Sequence, residues 1–138
     1  MSPILKNSLA VITGIVVGSV VNMGIITISE SIIPPPEGAD LKTLEGMKAS
    51  IHLLGPKHFI FPFLAHAGGT FVGAWLAALI AATYKMRFAM AIGFVFLIGG
   101  IMASIMIPAP TWFKVFDIVF AYIPIAWLAG RFVSAKSN

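Results

Sequence analysis

Three side chains stand out because their types could hold or move a proton and because they fall inside otherwise apolar runs: Asn22, His66 and Asp117. An imidazole gains and loses a proton near neutral pH, and a carboxylate beside it fixes which ring nitrogen carries that proton. An amide can bond across two helices. Thr70, Ser19 and Ser104 are minor polar company. Ionisable groups inside a membrane span cost at least about 2.5–3.5 kcal/mol on insertion scales, and they mark ion paths, proton relays or ligand sites. Each also has a plain structural use. Asn22 can serve as an interhelical hydrogen bond, His66 can bond a neighbouring carbonyl, and Asp117 can pair at the headgroup boundary with Lys114, three residues earlier on one helix face. A joint His66–Asp117 pair, the carboxylate holding the imidazole, is the arrangement that would make a functional centre of them.

The elements that must position these groups follow from where charge is missing. No charged residue falls between Leu9 and Ile28 or between Phe88 and Ile107, and apolar runs of that length mark membrane spans. Over 138 residues, 59% are hydrophobic and 10% charged, against about 25% charged in a soluble domain. The expected class is therefore an integral membrane protein. A soluble fold, a disordered tail and a nucleic-acid partner are excluded despite a pI of about 9.7.

Four spans are predicted, at about 8–28, 58–83, 88–107 and 112–132. Their links are a 29–57 loop, the Tyr84–Arg87 turn and the Pro108–Thr111 link. The short links predict an all-α, up-down four-helix bundle in a single transmembrane domain, 1–138. At 1.5 Å rise per residue, Asn22 lies about 9 Å, His66 about 12 Å and Asp117 about 8 Å inside the loop-side ends of their spans. The N-terminal stretch has the lysine and apolar run of a signal peptide. Its apolar run is too long, however, and no small-residue cleavage site follows, so it reads as a retained helix.

Lys6, Lys85, Arg87, Arg131 and Lys136 fall on one side with no acid. Four lysines on the other side face five acids, giving −1 there against +5, which accounts for the net +4. The basic side is expected in the cytoplasm, with both termini, at the inner (plasma) membrane. In the external loop, Ser31 to Gly38 is expected to be non-helical because of its prolines. The Asp40–Ile51 stretch is expected to form a short amphipathic helix with Asp40 as N-cap. It reads either as a linker or as a lid over the bundle mouth. Pro124 should kink the fourth span and free carbonyls near Phe120.

Small residues four apart predict close helix packing: Gly14 and Gly18 on span one, Gly69, Gly73 and Ala77 on span two, and Gly100 with Ser104 on span three. These seams could close the monomer or join protomers. Asn22 continues the first ridge and His66 the second, so both point into helix contacts. Ala74–Ala77 repeats as Ala126–Ala129, and Ser-Ile-Ile-Pro is echoed near Ser104, which leaves open two parallel hairpins related by a pseudo-two-fold. Glu30, Glu37, His52 and His58 cluster at the outer mouth, but their spacings match no closed zinc motif. No metal and no cofactor are expected. With no cysteine, disulfides, thiolate metal sites and paired-thiol redox chemistry are excluded.

Gly14-x3-Gly18-x3-Asn22-Met23, Pro34-Pro35-Pro36-Glu37-Gly38 and His66-x2-Gly69-Thr70-x2-Gly73-Ala74 give most of the chain a plan that resembles small, uncharacterised four-span bacterial inner-membrane proteins. That resemblance implies the four-span fold and brings no activity with it. Small multidrug transporters carry a carboxylate mid-way along span one, whereas the first acid here, Glu30, lies beyond it. Fluoride channels order their motifs differently, and membrane glutathione-type transferases need an arginine-rich set that is missing.

The function expected first is non-catalytic. The chain would be an accessory or assembly subunit in a larger membrane complex or homo-oligomer, or a small transporter-like bundle with an outward-facing polar site. The alternative is an intramembrane enzyme acting on a lipid or quinone, with His66 as general base.

Overall fold

Ser2 accepts a hydrogen bond from the Leu5 N–H at 3.2 Å, and Pro3, whose fixed φ suits a first helical position, starts helix α1 (Pro3–Ile32). At about 1.5 Å per residue this helix is about 45 Å long. It runs further than the sequence predicts at both ends, and Ser31 and Ile32 are helical. The triple proline excludes helical backbone only from the residue directly before it, and Ile33 is where φ and ψ become −123° and 87°. The computed structural model describes residues 1–136.

The remaining elements are α2 (Leu44–Ser50), α3 (Ile60–Ile80), α4 (Lys85–Met106), α5 (Thr111–Phe120) and α6 (Ile123–Lys136). Short 3-10 turns at Ile51–Leu53 and Pro56–Phe59 lead into α3. All regular structure among the described residues is helical. Four segments are long and apolar enough to cross a membrane: Pro3–Ile32, Pro56–Ile80, Lys85–Met106 and Thr111–Lys136.

The fourth segment is broken, as Pro124 predicts. Helix α5 stops at Phe120, and α6 restarts at Ile123 with the Tyr122 carbonyl accepting from the Ala126 N–H at 2.8 Å. Pro124 has no N–H to close the turn across the break. In the loop, α2 is capped by Thr43, whose hydroxyl accepts from the Gly46 N–H at 2.9 Å, and not by Asp40. Asp40 braces the preceding turn instead. Its carboxylate accepts from the Lys42 N–H at 2.9 Å and the Thr43 hydroxyl at 3.0 Å, and the Lys42 N–H foremost holds its carboxyl below the ordinary 3.8. The Asp40 N–H donates to the buried Ser50 hydroxyl at 2.9 Å.

At the opposite end, which carries both termini, Tyr84 takes a left-handed φ of 48° in the turn between α3 and α4. The Lys85 ammonium then donates to the carbonyls of Ala78, Leu79 and Ala81 at 3.0–3.2 Å, capping α3. Asn7 ties α1 to the same turn, accepting from the Ala82 N–H and donating to the Thr83 hydroxyl.

Helix α3 is central, packing on α1, α4 and α6, whereas α1 touches α4 only slightly. The α1–α3 contact is antiparallel and needs glycine. A Cβ at Gly14 would stand 2.7 Å from the Gly73 carbonyl, and one at Gly18 would stand 2.7 Å from that of Gly69. The seam lies within the chain, with Ala77 against Gly14. A second antiparallel seam pairs Gly93 with Ala126 and Gly130 with Ala89. Ala74, Ala77, Ala78, Ala89, Ile92, Ala126, Ala129 and Val133 form the buried core, all in the half nearest the termini. That half is solid because small side chains let the backbones close up. The loop-side half is hollow.

Candidate functional site

The hollow is a cavity of about 490 Å³ reaching from the loop down to His66 and Asp117. Met23 and Ile26 of α1, Phe61 and Pro62 of α3, Gly100 and Ser104 of α4, and Phe113 and Lys114 of α5 form its sides. Leu41, Met47, Ile51 and Leu54 turn into it from the loop, so the amphipathic stretch expected there covers the mouth. Phe59 packs on Phe113 and Trp112 at ring distances of 4.8 and 5.7 Å, fixing α5 against the start of α3 at the rim.

His66 and Asp117, on different helices, meet at the floor. The imidazole Nδ1 lies 2.9 Å from both carboxylate oxygens. The Tyr122 hydroxyl donates to Oδ2, also at 2.9 Å, and its ring stacks 5.9 Å from that of His66. The carboxylate is nearly sealed, its side chain 6% exposed, while the imidazole is 24% exposed. An ionised carboxylate only accepts, so the Asp117 contact places a proton on Nδ1. Nε2 has no partner among the described residues. Asp117 therefore pairs with His66 and Tyr122 and not with Lys114, correcting the headgroup-boundary alternative. Burial makes the two strong donors at the floor the better partners for the carboxylate.

Tyr122 was not singled out from sequence. The available signal was a polar aromatic five residues after Asp117 and two before Pro124. The helix break frees it from the regular α5 register, so a residue that would lie off the Asp117 face comes back to it. Gly100 makes the room, since a Cβ there would run into the Tyr122 hydroxyl and ring. Its role is thus the Tyr122 contact and not a helix seam with Ser104, whose hydroxyl bonds the Ile101 carbonyl at 2.7 Å.

Asn22 lies against Gly69, one helical turn from His66 along the α1–α3 seam, but its amide bonds no described residue, so it packs there without acting as polar glue. Thr70 sits one turn below His66, fully buried, and its hydroxyl oxygen has no partner among the described residues. Of the four outer-mouth residues, Glu30 and His58 line the cavity, whereas Glu37 and His52 are exposed and stand apart from it. His58 is also structural, its Nδ1 accepting from the Gly55 N–H at 2.9 Å. Among the described residues, no group of three or more His, Asp or Glu is placed to hold a metal ion. The cavity also takes in Lys57 and Lys114, which the sequence reading did not assign to the site.

No protein-family model matches the chain, and no characterised protein and no solved structure matches it.

Proposed function

We propose that the chain is a multi-pass protein of the inner (plasma) membrane. It is a single four-helix transmembrane domain with both termini in the cytoplasm and the 29–57 loop outside. Four long apolar segments support this. So do their exposed large side chains, among them Ile12, Val16 and Val20 on α1, Phe94 and Ile98 on α4, and Val115 and Val119 on α5. In water so much unpartnered apolar surface would be exposed at a cost, whereas lipid solvates it. The basic end, with Lys6, Lys85, Arg87, Arg131 and Lys136, supports the orientation.

Within that frame the chain is a transporter-like bundle without catalysis, whose outward-facing cavity binds a solute above His66. The observation that carries this reading is a cavity that descends from the loop to an imidazole held by Asp117, above a half closed by alanine packing. The ionisable groups around the cavity are His66, Asp117 and Tyr122 at the floor, with Glu30, Lys57, His58 and Lys114 at the rim.

The absence of cysteine makes the test direct. Single-cysteine variants in intact spheroplasts are treated with a membrane-impermeant maleimide. Ser104→Cys should label from outside, Thr83→Cys only after permeabilisation, and Ala77→Cys not at all. A silent Ser104→Cys beside a reactive Lys48→Cys would remove the outward-facing cavity.

The dyad also favours the enzyme reading, because a base oriented through Nδ1 presents Nε2 to a substrate. The cavity hydroxyls of Ser29 and Ser104 are both engaged with backbone carbonyls, at 2.6 and 2.7 Å, so neither stands ready as a nucleophile. That reading requires His66 to activate water or a substrate hydroxyl. Turnover of a lipid or quinone that His66→Ala abolishes would decide for it.

A further inference from the structure

The rim carries charge that the fold does not use. Lys114 is half-buried and lines the cavity, and its ammonium has no ion pair or hydrogen bond among the described residues, although it stands one turn from Asp117. The carboxylate that could have neutralised it is occupied by His66 and Tyr122. Lys57, exposed, lines the same rim and is also without an ion pair among the described residues, and the His58 Nδ1 takes the Gly55 N–H, leaving Nε2 without a described partner. Glu30, exposed and unpaired, is the one carboxylate among the rim residues. The only ion pair the described lysines make is that of Lys48 with Glu45, on the solvent side of α2.

The rest of the lining around this cationic rim is apolar: Met23, Ile26 and Phe113 on the sides, with Met47 and Ile51 of the loop above. From His58 to His66 the cavity is about 12 Å deep at helical rise, and with a volume of about 490 Å³ it is short and wide. A small inorganic anion at the rim would leave those walls wet. A purely apolar molecule would leave Lys114 facing low-dielectric surroundings with no counter-charge, where a paired charge gains most.

We propose that the cavity binds an amphipathic anion, with a phosphate or carboxylate head paired to Lys114 and Lys57 and an apolar body filling the space above His66. This rests on the outward-facing cavity proposed above. The same chemistry is offered by a soluble organic anion reaching the mouth from outside and by an anionic phospholipid of the outer leaflet.

Full-length protein is placed in phosphatidylcholine nanodiscs, and binding of hexyl phosphate, inorganic phosphate and hexyltrimethylammonium is followed by Trp112 fluorescence, with Trp75 and Trp127 replaced by Phe. Hexyl phosphate should bind at one site, and the other two should not compete with it. Lys114→Gln should weaken it by about tenfold or more, the scale of one charge-assisted hydrogen bond. Lys114→Arg should restore binding, and Glu30→Gln should leave it unchanged or tighter.

Replacing part of the phosphatidylcholine by phosphatidylglycerol separates the two sources. If the lipid is the natural occupant it blocks hexyl phosphate, and if a soluble anion is, the lipid leaves hexyl phosphate binding intact. The proposal is overturned if hexyltrimethylammonium binds as tightly as hexyl phosphate, if no probe binds, or if Lys114→Gln, melting like the parent, binds as well. Ser104→Cys labelling from outside in intact spheroplasts separates the two levels. With labelling intact, only the ligand assignment falls. Without it, the cavity reading falls as well.

Discussion

Asp117 ties α5 to α3 and to the break before α6, because one buried carboxylate accepts from both His66 and Tyr122. Asp117→Asn keeps the shape but puts an NH2 where one of those donors points. The asparagine offers one acceptor oxygen in place of two and carries no charge, so its hold on the Nδ1–H tautomer of the imidazole weakens. Nitrogen-15 NMR of histidine-labelled protein should show His66 leave the Nδ1–H form, and an unchanged spectrum would remove the pair from the site. Tyr122→Phe is a gentler probe. It leaves a buried carboxylate oxygen one donor short, a loss of about 1–3 kcal/mol. Denaturant titration in mild detergent should read that as a lower midpoint.

At the scale of elements, the α5–α6 break and the small residues of α4 work together. Pro124 ends the regular ladder, Tyr122 swings back toward Asp117, and Gly100 leaves the space it enters. Two adjacent glycines allow a controlled comparison. Gly100→Ala should push Tyr122 off Asp117 and cost about 1–3 kcal/mol, as overpacking does. Gly99→Ala, with nothing within 4 Å of the new methyl, should be neutral or slightly stabilising through helix propensity. Equal effects at the two positions would contradict the Tyr122 placement. On the other seam, Gly73→Leu should prevent α1 from docking, since even a methyl there would meet the Gly14 carbonyl at 2.5 Å.

Over the whole molecule, charge and packing are polarised along one axis. The end with the termini is basic, tied by Lys85 and Asn7 and filled with alanine, and the other end is hollow under an amphipathic helix. Changing Arg87, Arg131 and Lys136 together to Gln leaves the Lys85 cap in place while removing most of the basic excess. The proposed orientation should then become mixed. Labelling of Lys48→Cys in sealed vesicles, before and after permeabilisation, measures the fraction inverted. An orientation that stays uniform would separate insertion from the charge asymmetry.

The sequence alone was enough for the four apolar segments, their approximate bounds, the small-residue ridges and the break at Pro124. All of these follow from local rules: hydropathy over one helix length, a four-residue repeat, and a missing N–H. It also narrowed the candidate centre to Asn22, His66 and Asp117, because strongly polar residues in apolar runs are few enough to be compared by depth. Depth is one coordinate of three, however. Which partner Asp117 takes, Lys114 on its own helix or His66 across the cavity, depends on how α5 is rotated against α3, and that rotation is set by long-range packing. Tyr122 enters the site only because the backbone changes direction beside it, and Asn22 fails to bond because the seam that brings it near leaves its amide without a partner. The cap of α2 moved from Asp40 to Thr43 for the same kind of reason, since the Asp40 N–H is held by Ser50 ten residues away. The cavity belongs wholly to the tertiary structure, because empty space between helices has no residue of its own to announce it.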